Sequence, residues 1–190
     1  MNPSITSKEV ILGVCRRLAA EKGLAAINMR SVAQECGVAL GTLYNYYTDK
    51  DALLLAVVED IWKEIFHRGQ ECRTGLSFPE HVGYLFDCVQ QDAARYPDFF
   101  AGHSLLIAKA RRGEARSTME HYFEHMKAGM LTVLRADSAV RPGAFSPGLS
   151  ESQVVDFALD HILLLLMQGR TDCTALVELL RRLLYGCPAP

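Results

Sequence analysis

The stretch from Asn28 to Leu54 constrains the fold of this chain more than any other. It reads NMRSVAQECGVALGTLYNYYTDKDALL, two short helical patterns separated by a glycine. In the first pattern, Met29 and Val32 fall at the spacing of a buried helical stripe, and Asn28 is placed to cap the first turn. Gly37 stands where this helix must end, because glycine adopts a positive φ without the steric cost of a Cβ atom.

The second helical pattern begins at Leu40 and is equally short. Leu43 and Tyr47 lie four residues apart and are expected to face inward, which leaves the polar side chains between them on or near the outer face. Two helices joined by a tight glycine turn form a helix-turn-helix, whose second helix can lie in the major groove of DNA.

This segment resembles the helix-turn-helix signature of the tetracycline-repressor (TetR) family of transcriptional regulators. The resemblance covers about the first third of the chain and rests on Gly37, Val38, Gly41, Thr42, Leu43, Tyr44, Tyr47, Lys50, Leu53 and Leu54. The chain departs from the family pattern at three positions, with Asn28, Ala39 and Tyr47 where threonine, serine and phenylalanine are commoner. Ala39 cannot supply the hydroxyl that usually caps the second helix.

The resemblance implies that this segment contacts DNA, and the residue types fit that role. Arg30 can meet a guanine edge or a phosphate with its guanidinium group, although a solvated surface arginine is the alternative. Lys50, at a helix start, can combine its charge with the exposed amides there to hold a phosphate. The predicted DNA-binding residues are Arg30, Leu40, Gly41, Thr42, Tyr44, Asn45, Tyr46 and Lys50.

Helical periodicity continues through the rest of the chain, and no alternating strand pattern occurs. The chain is therefore predicted to be all-α, with about nine helices. The helices outside residues 28–47 are expected before Gly23 and at about 50–72, 79–95, 97–111, 114–135, 150–168 and 172–186. Residues 136–149, rich in proline and glycine, are predicted to form a loop. We predict a DNA-binding domain at 1–50 and an effector-binding and dimerisation domain at 51–190, with the boundary at the start of a long helix.

Composition limits the classes of function. Residues 1–50 carry six basic and four acidic side chains, a local charge of +2 in a chain whose net charge is −2. A mildly basic head on an acidic body suits a protein that touches phosphates with one end, although ordinary scatter of charge is the alternative. No P-loop, nucleophile elbow or dinucleotide glycine pattern occurs in the sequence, so we predict neither an enzyme nor a cofactor.

The sequence also bears on the compartment. No apolar run approaches the roughly 18 residues of a spanning helix, and the N-terminus lacks the apolar core of a signal peptide. We therefore expect a cytoplasmic protein that does not engage a membrane. The six cysteines form no CxxC pair and are expected to be reduced, packed thiols, with a redox-sensing pair as the alternative.

The last two predicted helices are apolar on more than one face. A helix that is apolar nearly all round must be buried on all sides, which favours a homodimer interface over burial within one chain. The TetR resemblance also implies pairing through the last two helices. The predicted interface residues are Val155, Leu159, Ile162, Leu166, Leu176, Leu180, Leu183 and Leu184.

The resemblance further implies a small-molecule effector site among the helices between residues 79 and 170. Its predicted wall consists of Phe86, Phe99, Phe100, His103, Tyr122, Met126, Met130, Phe157 and His161, with ordinary helix core as the alternative for each. His121 and His125 could share a metal ion, but no cysteine or HExxH glutamate accompanies them, so no metal site is predicted.

The predicted function is that of a repressor that binds a pseudo-palindromic operator as a homodimer and is released by a small molecule. The competing class is a helical protein-interaction module that does not bind DNA.

Overall fold

The computed structural model describes residues 6–69, 75–97, 99 and 114–186, and within them the side chains of 6–65, 75–97, 99 and 123–186. This part of the chain contains helices and one isolated bridge between Ser146 and Leu149, but no strand. The all-α prediction is confirmed. The helices are α1 (Lys8–Lys22), α2 (Met29–Glu35), α3 (Leu40–Tyr44), α4 (Lys50–Gly69), α5 (Phe78–Ala93), α6 (Glu114–Ala136), α7 (Glu151–Met167) and α8 (Thr174–Tyr185). Of the helix predicted at 97–111, all but Pro97 and Phe99 lies outside the described residues.

The first three helices start and stop at polar and glycine residues. The Ser7 side chain accepts a hydrogen bond from the amide of Val10, so Ser7 rather than Thr6 is the N-cap of α1. Gly23, at φ 75°, ends α1 as predicted and leads into a 3-10 turn at Leu24–Ala26. Both this turn and α2 pack against α1.

Helix α4 begins where the Asp49 carboxylate accepts a hydrogen bond from the amide of Ala52 at 2.8 Å. Its apolar stripe is buried, as the spacing predicted; the fully or almost fully buried members are Leu53, Val57, Val58, Ile61, Trp62 and Ile65. By its internal contacts the chain divides into two compact units, and the first comprises Met1–Ile65 and Asp92–Glu120.

The second unit comprises Phe66–Gln91 and His121–Pro190. Polar pairs cap two of its helix starts: the amide of Ser77 donates to Glu80 at 3.0 Å, and Ser150 and Gln153 form a reciprocal capping box. Helices α6 and α7 are also joined by charge, because Lys127 lies 2.8 Å from Asp156.

The first residues of the loop between α6 and α7 are tied to neighbouring helices. Asp137 accepts hydrogen bonds from the Phe78 amide at 2.8 Å and from the Tyr185 hydroxyl at 2.5 Å. Arg141 donates its amide to the carbonyl of Leu184 at 2.8 Å, which satisfies a carbonyl at the C-terminus of α8. The loop therefore links the end of α6 to the start of α5 and to the end of α8.

None of the helices in the described residues combines the length and the apolarity that crossing a lipid bilayer requires.

Candidate nucleic-acid interface

Local hydrogen bonds fix the geometry of the α2–α3 turn. The Asn28 side chain accepts from the amide of Ser31 at 3.0 Å and caps α2, as predicted. At the other end, the amide of Gly37 donates to Gln34 and that of Val38 to Ala33, both at 3.0 Å. This pair of bonds is the Schellman motif, and its left-handed position is Gly37, at φ 66°.

Helix α3 is anchored by one apolar side. Leu43 is fully buried and Tyr47 is 7% exposed, so both face inward as the spacing predicted. Ala39 occupies the N-cap of α3 without a side-chain hydrogen bond, as its missing hydroxyl requires. The packing of Leu43 and Tyr47 therefore fixes which side of α3 faces outward.

The outward side of α3 carries Gly41, Tyr44 and Asn45, all three of which are exposed. Leu40 and Thr42 flank them and are half-buried. A Cβ atom built on Gly41 would meet no atom within 4 Å, and the residue has no positive φ. The fold itself therefore does not need glycine at this position, although glycine weakens a helix relative to alanine.

Helix α2 contributes a second exposed stripe. Arg30 is exposed, and Gln34, one turn later on the same side, is exposed as well. Gln34 is missing from the residues predicted from the sequence, although its spacing from Arg30 could have identified it. Side chains of both kinds form paired hydrogen bonds with base edges, arginine with guanine and glutamine with adenine.

Tyr46 does not present its hydroxyl proton to the outside. Its hydroxyl donates to the backbone carbonyl of Thr6 at 2.5 Å, across 40 positions of sequence. This bond ties the residues that precede α1 to the chain that follows α3. Helical spacing could not predict it, because the acceptor lies far away in the sequence.

The charged side chains near α2 and α3 include both paired and unpaired ones. Arg17 and Glu35 pair at 2.8 Å, and so neutralise each other beside α2. Within the described residues, neither Arg30 nor Lys50 forms an ion pair. Lys50 is exposed at the start of α4, where the Asp49 carboxylate already takes the Ala52 amide. The ammonium group of Lys50 is thus left exposed beside this helix start, where an anion could approach it.

The other predicted sites are placed differently. Phe86, Phe99, Met126 and Met130 are buried, whereas Phe157 and His161 stack on the outer side of α7 with ring centroids 5.7 Å apart. The side chains of Phe100, His103 and Tyr122 lie outside the described residues, as does that of His121. In the part of the chain with described side chains, no three metal-ligating residues come together.

The eight residues predicted as a dimer interface are mostly core residues of the single chain. Seven of them are at most 4% exposed, and Leu183 is half-buried. Side chains that the chain already covers cannot offer surface to a partner. The exposed apolar side chains of the same two helices are others: Phe157, Leu164 and Met167 on α7 and Leu179 on α8.

Four of the cysteines, Cys15, Cys36, Cys88 and Cys173, lie among the described residues and are free thiols. Burial raises the pKa of Cys15 to about 12 and that of Cys173 to about 11. Both are therefore protonated at neutral pH, and a protonated thiol is a poor nucleophile.

The sequence and the fold were compared with known proteins. Residues 11–57 match the family model of bacterial regulatory proteins of the tetR family. Over 152 residues the chain is 21% identical to the transcriptional regulator UidR of Escherichia coli, which covers 79% of this chain and 74% of UidR.

Two solved structures share the fold over nearly the whole chain. One is BioQ with its double-stranded DNA operator, at a TM-score of 0.66 and 18% identity, covering 96% of this chain and all of BioQ. The other is the transcriptional regulator FadR of Bacillus subtilis in complex with stearoyl-CoA, at a TM-score of 0.63 and 17% identity, with the same coverage. Residues 11–57 therefore form a helix-turn-helix of the TetR family, and the fold of the chain is similar over nearly its whole length to those of BioQ and FadR.

Proposed function

We propose that this regulator is a homodimeric repressor that binds a pseudo-palindromic operator and is released by a small molecule. Residues 1–50 would bind DNA, and residues 51–190 would bind the effector and form the dimer. It acts in the cytoplasm, where bacterial DNA lies.

The observation that carries the DNA-binding proposal is the outward side of α2 and α3. Arg30, Tyr44 and Asn45 are exposed there, and none of their side-chain polar groups is engaged by another described residue. Gly41 leaves the backbone of α3 bare between them. Exposed donors beside a stretch of backbone that can approach closely suit the edges and floor of a major groove.

The exposed apolar side chains of α7 and α8 support the homodimer. Phe157, Leu164, Met167 and Leu179 each leave between 46% and 50% of their surface exposed. Phe157 and Leu164 lie seven residues apart, so they project from one side of α7. A second copy of the same face would cover them, which is the usual two-fold arrangement of dimers. This face replaces the buried residues predicted from the sequence as the proposed contact.

Buried apolar side chains support an effector of largely apolar character. Phe86 of α5 and Met126 and Met130 of α6 lie in the core of the second unit. Methionine side chains are unbranched and adapt readily to the shape of a bound molecule. FadR, which shares the fold, is known with stearoyl-CoA, and BioQ with operator DNA. We propose that a small molecule with an apolar body binds among these three residues.

The DNA-binding proposal is tested by selecting fragments of the source genome with the purified protein and measuring affinity for the recovered site at 50 and 200 mM salt. Counterion release should make affinity fall steeply as salt rises, and Lys50→Ala should reduce the magnitude of the log–log slope by about one. Lys22→Ala, which removes an exposed lysine at the end of α1, is the matched control and should leave the slope unchanged. Equal affinity at both salt concentrations would contradict DNA binding.

A further inference from the structure

The first unit contains a charge network that is separate from the DNA-facing side chains. Asp60 and Glu64 lie one turn apart on α4. Arg16 of α1 pairs with Asp60, and its Nε lies 3.7 Å from a Glu64 oxygen. On the other side, Arg95 lies 2.8 Å from Glu64, and the Tyr96 hydroxyl donates to Glu64 at 3.1 Å. Glu64 therefore interacts with α1 and with the chain that follows α5.

Apolar and backbone contacts also join the residues that follow α5 to α4 and to the end of α1. The rings of Trp62 and Phe99 meet edge to face with centroids 5.2 Å apart, and both side chains are at most 1% exposed. A Cβ atom on Gly23, at the end of α1, would lie 3.5 Å from the carbonyl oxygen of Pro97. We call Arg95, Tyr96, Pro97 and Phe99 the post-α5 segment; it lies against both α4 and the end of α1.

The carboxylates of this network are partly shielded from solvent, which strengthens their ion pairs. The side chains of Asp60 and Glu64 are 18% and 27% exposed, against 45% for Glu35 in the isolated pair of Arg17 and Glu35. The arginines differ less: Arg16 and Arg95 are 37% and 48% exposed, and Arg17 is 53% exposed. Salt and water weaken exposed pairs most, so the network couples its members more strongly than the isolated pair does. The pair of Arg17 and Glu35, which joins α1 to α2 within the helix-turn-helix, provides a matched control.

We propose that Glu64 is a positioning residue for DNA recognition. By binding Arg16 on one side and the post-α5 segment on the other, it holds α1 at a fixed angle on α4. Helix α1 packs on α2, and α2 packs on α3, so the recognition helix keeps the same angle. In a dimer, this angle sets the separation of the two recognition helices. The inference rests on the dimeric operator binding proposed above.

The test measures the ratio of the protein's affinities for duplexes with different half-site spacings. The probes are duplexes with the site recovered by fragment selection, with its natural spacing and with one base pair inserted or removed at its centre. One base pair shifts a half-site by about 3.4 Å along the helix axis and turns it around the axis. A dimer whose two helix-turn-helix segments are rigidly held should therefore bind the altered duplexes about tenfold more weakly, because changing their separation costs free energy.

Glu64→Gln should bind the natural site about tenfold more weakly and should lose most of its discrimination between spacings. Arg95→Gln should act in the same direction, and the double variant should lose little more than either single one, since both remove the same link. Glu35→Gln, which breaks the isolated pair, should keep the discrimination between spacings, because the unpaired Arg17 changes the affinity for all three duplexes alike. The fluorescence of Trp62, the single tryptophan of the chain, and thermal melting show whether each variant is folded under the binding conditions.

If Glu64 only stabilised the fold, Glu64→Gln would bind all three duplexes more weakly by the same factor and would still discriminate between the spacings. That result would overturn the inference. Unchanged affinity and unchanged discrimination in folded Glu64→Gln would overturn it as well. In both cases the wild-type protein still distinguishes the spacings, so the dimeric binding itself survives. A wild-type protein indifferent to spacing would instead refute dimeric operator binding, and this inference with it.

Discussion

Replacing Gly41 with alanine should stabilise the protein and weaken its binding to DNA. Gly41 lies within α3, is exposed, and would meet no atom within 4 Å if it carried a Cβ. Alanine is favoured over glycine in an exposed helix by about 1 kcal/mol at most, so we expect a gain in the free energy of unfolding of about 0.5–1 kcal/mol. In a chain of this size, that corresponds to an increase in melting temperature of about 1–4 °C.

The same methyl group should cost affinity if the backbone of α3 approaches the DNA closely. Forcing a methyl group into a packed contact typically costs about 1–3 kcal/mol, and 1.4 kcal/mol is a factor of ten in affinity. We therefore expect Gly41→Ala to bind the selected site roughly tenfold more weakly, as measured by fluorescence anisotropy at fixed salt. The opposite signs of the two effects separate a loss of contact from a loss of fold.

Gly129 supplies the matched control. It is an exposed glycine inside α6 and also has open space where a Cβ would lie. Gly129→Ala should give a similar gain in stability with unchanged DNA affinity. If Gly41→Ala bound DNA as tightly as the wild-type protein while melting higher, the bare backbone of α3 would have no role in recognition.

Three further outcomes are expected. Gly37→Ala should lower the free energy of unfolding by about 1–2 kcal/mol in chemical denaturation, because φ 66° places a Cβ against the backbone; an unchanged midpoint would mean that the turn had rearranged. Leu179→Glu should have the 21.1 kDa mass of one chain in light scattering, at a concentration where the wild-type protein is a dimer. The control Val10→Glu should remain a dimer. If both variants were dimers, the interface would lie elsewhere. Asp137→Asn should cost about 1.5–3 kcal/mol at pH 7, because it replaces a charged acceptor of three hydrogen bonds. Burial would raise the pKa of Asp137, but hydrogen bonds from Tyr185, Phe78 and Ala139 outweigh it and leave the pKa below its usual value, so this stability is present above about pH 4 and is lost as pH falls further. A gap between wild type and Asp137→Asn that stayed constant down to pH 2 would contradict this assignment.

Much of the helix-turn-helix follows from interactions between neighbours in the sequence. Asn28 caps α2 through a residue three positions away. The amides of Gly37 and Val38 close the same helix through carbonyls three and five positions before them. Leu43 and Tyr47 face inward because their spacing puts them on one side of a helix. Such short-range geometry is fixed by residue type and spacing, so the sequence by itself determined the turn, the buried side of α3 and the resemblance of this segment to the TetR family.

Other features depend on residues that the fold brings together over long separations. The hydroxyl of Tyr46, a residue predicted to bind DNA, finds an acceptor 40 positions earlier. Glu64 meets Arg95 and Tyr96 across more than 30 positions, and no local pattern marks that link.

The apolar residues of α7 and α8 divide in the same way. Periodicity marked all of them as buried, but it could not say which side the chain covers and which stays exposed, as at Leu180 and Leu179. That choice depends on which other helices pack against each face, and only the tertiary structure decides it.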